Sequence, residues 1–306
     1  MPAIAVKQNP ILSIVLPIAT LTVAGIAITS RVVADYPLGL PHDAAVFLAN
    51  LGGSINPAVA AVVAVVLFVA GVVSGLSGFA FSAIAACILW LLPPLQAIPL
   101  IMLLSVCNQL ASVGQLRKEM VLRGTPEREG ALAYIAGGVI GVPIGLALLH
   151  ALPTRVFAIG LGLFLIIYSV FVLLKPDSLR IRLSGWRPAI AVGVAGGIVG
   201  GFSAFPGSMP VVYLGLRGSS KAETRGITQP YILALQLVSL SILAVTHSAI
   251  FDLQFWLLWG AALPAVLLGS LTGVALYRRM SEVNFRRAVL FFLIVSGLSL
   301  LVKTLI

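Results

Sequence analysis

From residue 57 onward the chain consists of apolar blocks separated by short polar connections. The blocks fall at about 57–75, 79–92, 96–116, 130–150, 154–174, 188–204, 206–216, 226–246, 253–276 and 285–302. An earlier block, ILSIVLPIATLTVAGIAITS, occupies 11–30. About 20 apolar residues wind into a helix that crosses the roughly 30 Å hydrocarbon core of a bilayer. Strands of a membrane barrel would instead alternate between lipid and lumen over about ten residues each, and that alternation is missing. The pattern predicts an all-α polytopic membrane protein. Two blocks are short: as helices, 206–216 reaches about 16 Å and 79–92 about 21 Å. Each directly follows a Gly/Ser-rich phrase, SGLSGFAF at 74–81 and GGFSAFPG at 200–207. Glycine and serine weaken a helix. The chain therefore interrupts two of its most apolar stretches in nearly the same words.

The second half repeats the first at an offset of 126 to 128 residues. Gly75, Ser77, Phe79 and Ser82 recur as Gly201, Ser203, Phe205 and Ser208. QLAS at 109–112 recurs as QLVS at 236–239, and Gly141 and Gly145 recur as Gly269 and Gly273. Phe157 returns as Phe285 and Lys175 as Lys303. Matches of Leu and Ala count for little in apolar sequence; ordered Gly, Ser, Gln and Lys matches count for more. The expected organisation is an N-terminal transmembrane helix and external loop (1–56), a first repeat of five segments (57–175) and a second of five (176–306). The N-terminal block also has features of a signal peptide, with Lys7 ahead of it and VVA at 32–34 behind. Its apolar run of about 18 residues exceeds the 7–15 of a usual signal core, which favours a retained anchor.

Composition agrees with the pattern. The chain is 60% hydrophobic and 9% charged, against about 25% charged in soluble domains. A net charge of +10 would suit a nucleic-acid partner, but the position of the charges argues for membrane topology instead. Fifteen of the nineteen basic residues fall in four loops: 117–129, 175–187, 217–225 and 277–287. Positive residues mark the cytoplasmic side. The connections 31–56, 93–95, 151–153 and 247–252 are then external, and the N-terminus is cytoplasmic in a multi-pass inner-membrane protein. On this assignment the first repeat starts outside and the second inside, so the two are inverted. Inverted repeats recur in secondary transporters.

The Gly/Ser phrases then become tips of two hairpins entering from opposite sides, each with a short second arm beginning at Phe79 or Pro206. Broken backbone inside a membrane is tolerated where it is buried in protein or lines a wet cavity. The N-terminal N–H groups of the short arms would point toward the membrane middle, a ready anion site. Candidate substrate-binding residues are Gly75, Ser77, Gly78, Phe79 and Ser82 of the first tip. Those of the second are Ser203, Phe205, Pro206, Gly207 and Ser208. Gln109 and Gln236 are the symmetric polar residues of the third segments; lining the site and bonding between helices are equal readings. For Gly141/Gly145 and Gly269/Gly273, the GxxxG spacing favours close helix packing and allows a homodimer. All nine carboxylates fall in loops or at span ends, where a proton relay would not place them. Glu223 reads as a loop cap. Cys87 and Cys107 read as buried thiols, and three scattered histidines support no metal site. No cofactor is expected.

At the two tips the chain resembles the sulfite-exporter family of the TauE/SafE type, over roughly 57–303. GLSGFAFS (75–82) with Pro93-Pro94 after its arm, GGFSAFPGSMP (200–210), and Lys221-x-x-x-Arg225 before a long helix carry the resemblance. Phe79 and Phe81 stand where the family pattern has glycines. The resemblance implies export of small sulfur-containing anions such as sulfite or organosulfonates, with the lipid bilayer as the other partner. Three rival readings remain: a transporter of another small organic anion, a non-transporting scaffold, and an intramembrane hydrolase. The hydrolase reading would pair Ser203 with His247, although His247 falls at the outer end of its helix.

Overall fold

A computed structural model describes residues 57–77, 79–116, 130–174, 180–181, 183–277 and 282–305. The N-terminal block at 11–30, Gly78 and the loop 117–129 lie outside the described residues. Among the described residues ten α-helices follow one another: α1 Pro57–Ser77, α2 Phe81–Ala85 (continued by a 3-10 turn, Ala86–Trp90), α3 Pro94–Leu116, α4 Ala131–Ala151 and α5 Thr154–Leu174. Then come α6 Trp186–Ser203, α7 Ser208–Arg217, α8 Lys221–Thr246, α9 Leu253–Tyr277 and α10 Glu282–Leu305. No strand is found among the described residues. Five helices, α3, α4, α5, α8 and α9, contain spans long and apolar enough to cross a membrane. Their outward faces are apolar, with Ile140 62%, Ile167 65% and Leu268 60% exposed, as lipid contact requires. One compact unit comprises residues 66–306; the described part of the other is the first turns of α1, 57–65.

Two boundaries differ from the hydropathy pattern. The helix expected at 226–246 begins at Lys221, because Ser220 caps it: its hydroxyl oxygen accepts from the Glu223 N–H at 3.2 Å. Ser220 and Glu223 have the spacing of a capping box. Lys221 and Arg225 therefore lie on a helix and not in a loop. The short arms begin at Phe81 and Ser208, two residues later than expected, and Pro206 sits in the turn ahead of α7.

Glycine decides the packing. On α6, Gly193, Gly197 and Gly201 recur every four residues and share one face. They meet Gly137, Gly141 and Gly145 of α4, with the same spacing. A Cβ at Gly193 would land on the Tyr134 carbonyl oxygen, one at Gly197 on that of Gly138, and one at Gly141 on that of Val194. The two backbones touch, with no side chain between them. The other half repeats the arrangement: Gly71 and Gly75 of α1 lie on Gly269 and Gly273 of α9. The first segment of each half thus packs on the fourth segment of the other. Third segments α3 and α8 pack together, α3 also against α9 and α8 against α4, and α5 packs on α10 through Gly162 and Gly297. The GxxxG faces are therefore used within the chain, which removes the sequence argument for a homodimer on those faces.

These pairings set the depth of the tips. Gly75 lies beside Gly273, four residues from the end of α9, and Gly201 beside Gly145, six residues from the end of α4. At 1.5 Å per residue that leaves about 6 Å and about 9 Å of helix beyond them. Each first arm reaches past the middle of the bundle, so the tips overlap instead of meeting end to end.

Candidate functional site

The second tip is built from small residues for a stated reason. Gly196 and Gly200, on the α6 face next to the Gly193–Gly197–Gly201 row, make room for the turn that doubles back. A Cβ at Gly200 would meet the Pro206 ring, and one at Gly196 the Pro206 carbonyl oxygen and the Tyr231 hydroxyl. Tyr231 instead donates to the Gly193 carbonyl at 2.8 Å. The turn itself passes through Ala204 at φ 58°, a left-handed conformation unusual for a residue with a Cβ. Its N–H donates to the Gly200 carbonyl at 2.8 Å, closing α6.

The serine hydroxyls serve this turn. Ser203 donates to the Val199 carbonyl at 2.6 Å, and its oxygen accepts from the Phe205 N–H at 3.3 Å. Ser208 donates to the Phe205 carbonyl at 3.1 Å. Both are buried. The Ser208 N–H bonds the Phe205 carbonyl at 3.4 Å, and Pro206 and Pro210 carry no N–H. The backbone donors that α7 can turn toward a ligand are those of Gly207 and Met209. In the first tip, α2 is one turn of α-helix before a 3-10 segment. A helix this short offers first-turn N–H groups and no long macrodipole.

The two tips touch. Phe79 and Phe205, equivalent in the repeat, stack with ring centroids 6.2 Å apart and planes 13° apart. Tyr168 of α5 packs edge-on against Phe205 at 5.8 Å. A Cβ at Gly207 would meet the Phe79 Cβ at 3.2 Å, so a glycine here lets the tips approach. Gln236 bridges both: its Nε2 donates to the Ala204 carbonyl at 3.3 Å and, at 3.5 Å, to the Ser82 hydroxyl. Its Oε1 is buried without a partner. Gln236 lies fifteen residues into α8, about 22 Å from its start, so the bridge sits near the middle of the span. Of the predicted site residues, the structure brings together Phe79, Ser82, Phe205, Gly207 and Gln236. Gln109 is buried on α3. Gly75 faces α9, Pro206 faces α6, and the Ser77 side chain and Gly78 lie outside the described residues.

A profile of the family described as Sulfite exporter TauE/SafE matches residues 62–300, a stretch that contains both tips and every helix named at the site. The chain belongs to the TauE/SafE sulfite exporter family. Membership makes it a multi-pass membrane transporter. Searches of curated proteins and of solved structures find no match.

Two features of this TauE/SafE chain were hidden in the sequence. Arg225, assigned there to a cytoplasmic loop, is only 5% exposed, and its Nη2 donates to the Gly75 carbonyl at 3.1 Å. That carbonyl is among the last of α1, which cations favour. The capping box at Ser220 was the signal that could have placed Arg225 on a helix. The other feature is a pair of histidines. His150 at the end of α4 and His247 after α8 lie with ring centroids 3.8 Å apart and planes tilted by 32°. His247 also contacts Thr246 at 2.8 Å. Ser203, the partner a hydrolase would give it, has the backbone contacts described above.

Proposed function

We propose that this transporter moves small sulfur-containing oxyanions, sulfite or organosulfonates, outward across the inner membrane through a site between the two hairpin tips. The observation that carries the reading is the Gln236 bridge between two breaks that match in sequence. Two interruptions of apolar helices cost stability at both places, and here they share one buried polar residue. The exchanged pairing of first and fourth segments supports an inverted repeat, with α6 and α8 starting at the cytoplasmic face. The stacked Phe79 and Phe205 rings close the gap between the tips and act as its gate.

Direction follows from electrostatics. An anion leaving a cell with a negative interior gains about 2.3 kcal/mol per charge per 100 mV. The described carboxylates of Glu223 and Asp252 sit at helix starts, Asp252 accepting from the Phe255 N–H at 2.8 Å. They suit capping better than proton relay.

The test is flux of sulfite and methanesulfonate in proteoliposomes with Ser203→Asp against Ser203→Asn at matched folded protein. The two variants disturb the turn alike, but only Asp adds a negative charge beside the site. Flux in the Asp variant is expected to fall about tenfold or more below Asn, a difference of at least one repulsive contact. Equal flux would place the anion elsewhere.

A further inference from the structure

A second polar cluster lies below the tips on α8. Arg225, Gln229 and Gln236 are spaced i, i+4 and i+11, which puts them within about 40° of one another around the helix. Arg225 and Gln229 are each at least 95% buried, at 5% and 3% exposure. A charge and a carboxamide so far from water are expensive unless bonded. Arg225 has the Gly75 carbonyl. Gln229 does not balance: its Nε2 is buried with no hydrogen-bond partner. A donor left unmade in a buried site calls for a missing acceptor.

The geometry points to an oxyanion subsite formed by the Arg225 guanidinium and the Gln229 carboxamide N–H, on the cytoplasmic flank of the tip site. It rests on the transporter reading and on its orientation of α8. Arg225 and Gln229 are one turn apart, so their side chains project from neighbouring positions on the same face. A guanidinium presents paired N–H groups that match two oxygens on one centre, as in sulfite, sulfonate or carboxylate. The amide N–H supplies a donor to a remaining oxygen. Along α8 the subsite lies about 10–16 Å before Gln236, so an anion would be held here before it reaches the tips. The Gly75 bond ties the guanidinium to the end of α1, so the subsite is continuous with the first hairpin.

A capping role alone for Arg225 makes a different forecast. A cap serves the α1 carbonyls, is met by lysine, and leaves Gln229 without a task. The experiment measures dissociation constants from ligand-induced shifts in melting of the full chain in detergent. The probes are sulfite, methanesulfonate, acetate and phosphate at constant ionic strength. The variants are Arg225→Gln, Arg225→Lys, Gln229→Leu and Ser203→Asp. Arg225→Gln is expected to weaken binding by about ten- to a hundredfold. Arg225→Lys should restore only part of it, since the charge returns without the paired donors. Gln229→Leu keeps the cation and should weaken binding by about three- to tenfold. If Arg225→Gln and Gln229→Leu lower the ligand-free melting temperature and leave every dissociation constant unchanged, the subsite is refuted. Sulfite binding lost in Ser203→Asp but intact in both α8 variants would refute it while sparing the tip site. Binding of acetate or phosphate alone, lost in Arg225→Gln, would uphold the subsite and refute the sulfur-anion reading. No binding of any probe by the unaltered chain would refute both.

Discussion

Replacing Gln236 with leucine separates a residue that handles the substrate from one that merely joins helices. Leucine has nearly the same volume, so the loss is of hydrogen bonds. The two bonds from Nε2, at 3.3 and 3.5 Å, are long and count toward the weak end of the range, about 0.5 kcal/mol each. The larger cost is the Ala204 carbonyl left unpaired in a buried turn, about 1–3 kcal/mol. Ala204 is already held at φ 58°, so its carbonyl is not free to turn elsewhere. Against this, the variant also removes the Oε1 that is buried and unpaired in the native state, returning on the order of 1 kcal/mol. The net destabilisation is about 1–3 kcal/mol, which lowers the melting temperature by several degrees. If Gln236 lines the pathway, sulfite flux per folded molecule should fall about tenfold or more, the equivalent of one lost polar contact at the barrier. Melting in detergent and flux in proteoliposomes are measured on the same preparation, with Gln109→Leu alongside. A lower melting temperature with unchanged flux per folded molecule, in both variants, would assign the glutamines to packing and refute the bridge as part of the site.

Gly141→Leu and Gly273→Leu should each cost about 3 kcal/mol or more, since the new side chains meet the backbone of Val194 and Val72. Gly160→Leu, with nothing within 4 Å of its Cβ position, should melt like the native chain. Phe79→Ala should lose about 1 kcal/mol of ring stacking and raise the ratio of methanesulfonate to sulfite flux; an unchanged ratio would deny the rings a gating role. Single cysteines at Glu127 and Thr246 should react with impermeant reagents from opposite sides of the membrane, and labelling from one side would contradict the inverted arrangement.

The helices were legible because each is announced by a local signal: about twenty apolar residues, or a Gly/Ser phrase between two apolar runs. Glycines that touch backbone, such as Gly141 and Gly269, fall at matching places in the two halves of the sequence, and such matches are what suggested the repeat. The partners of those glycines were not legible. GxxxG announces close approach but not whether the other helix is in the same chain, and here α4 takes α6 and α9 takes α1. Nor were the roles of the tip serines. A serine beside a helix break serves the backbone and a ligand equally well on paper, and Ser203 and Ser208 both turn their hydroxyls to carbonyls, four and three residues away. Arg225 was missed for a related reason: basic residues near span ends were all counted as sidedness markers, although a helix cap at Ser220 already placed this one a turn inside.

Arg225 also breaks the symmetry of the halves. The matching place in the first repeat is Ala97-Ile98-Pro99, without a charge. A binding site alone cannot set the direction of net transport, because whatever it gives to capture it takes back on release. What a buried cation on one flank can change is the rate of capture from that side, by raising the local concentration of anions at that mouth. On the proposed outward direction, the work falls to the membrane potential, which acts on the charge of an anionic substrate. On this proposal the two halves supply the paired tips and the Phe79–Phe205 contact between them. On the same proposal Arg225, which has no counterpart at Ala97-Ile98-Pro99, sets the side from which the anion is gathered.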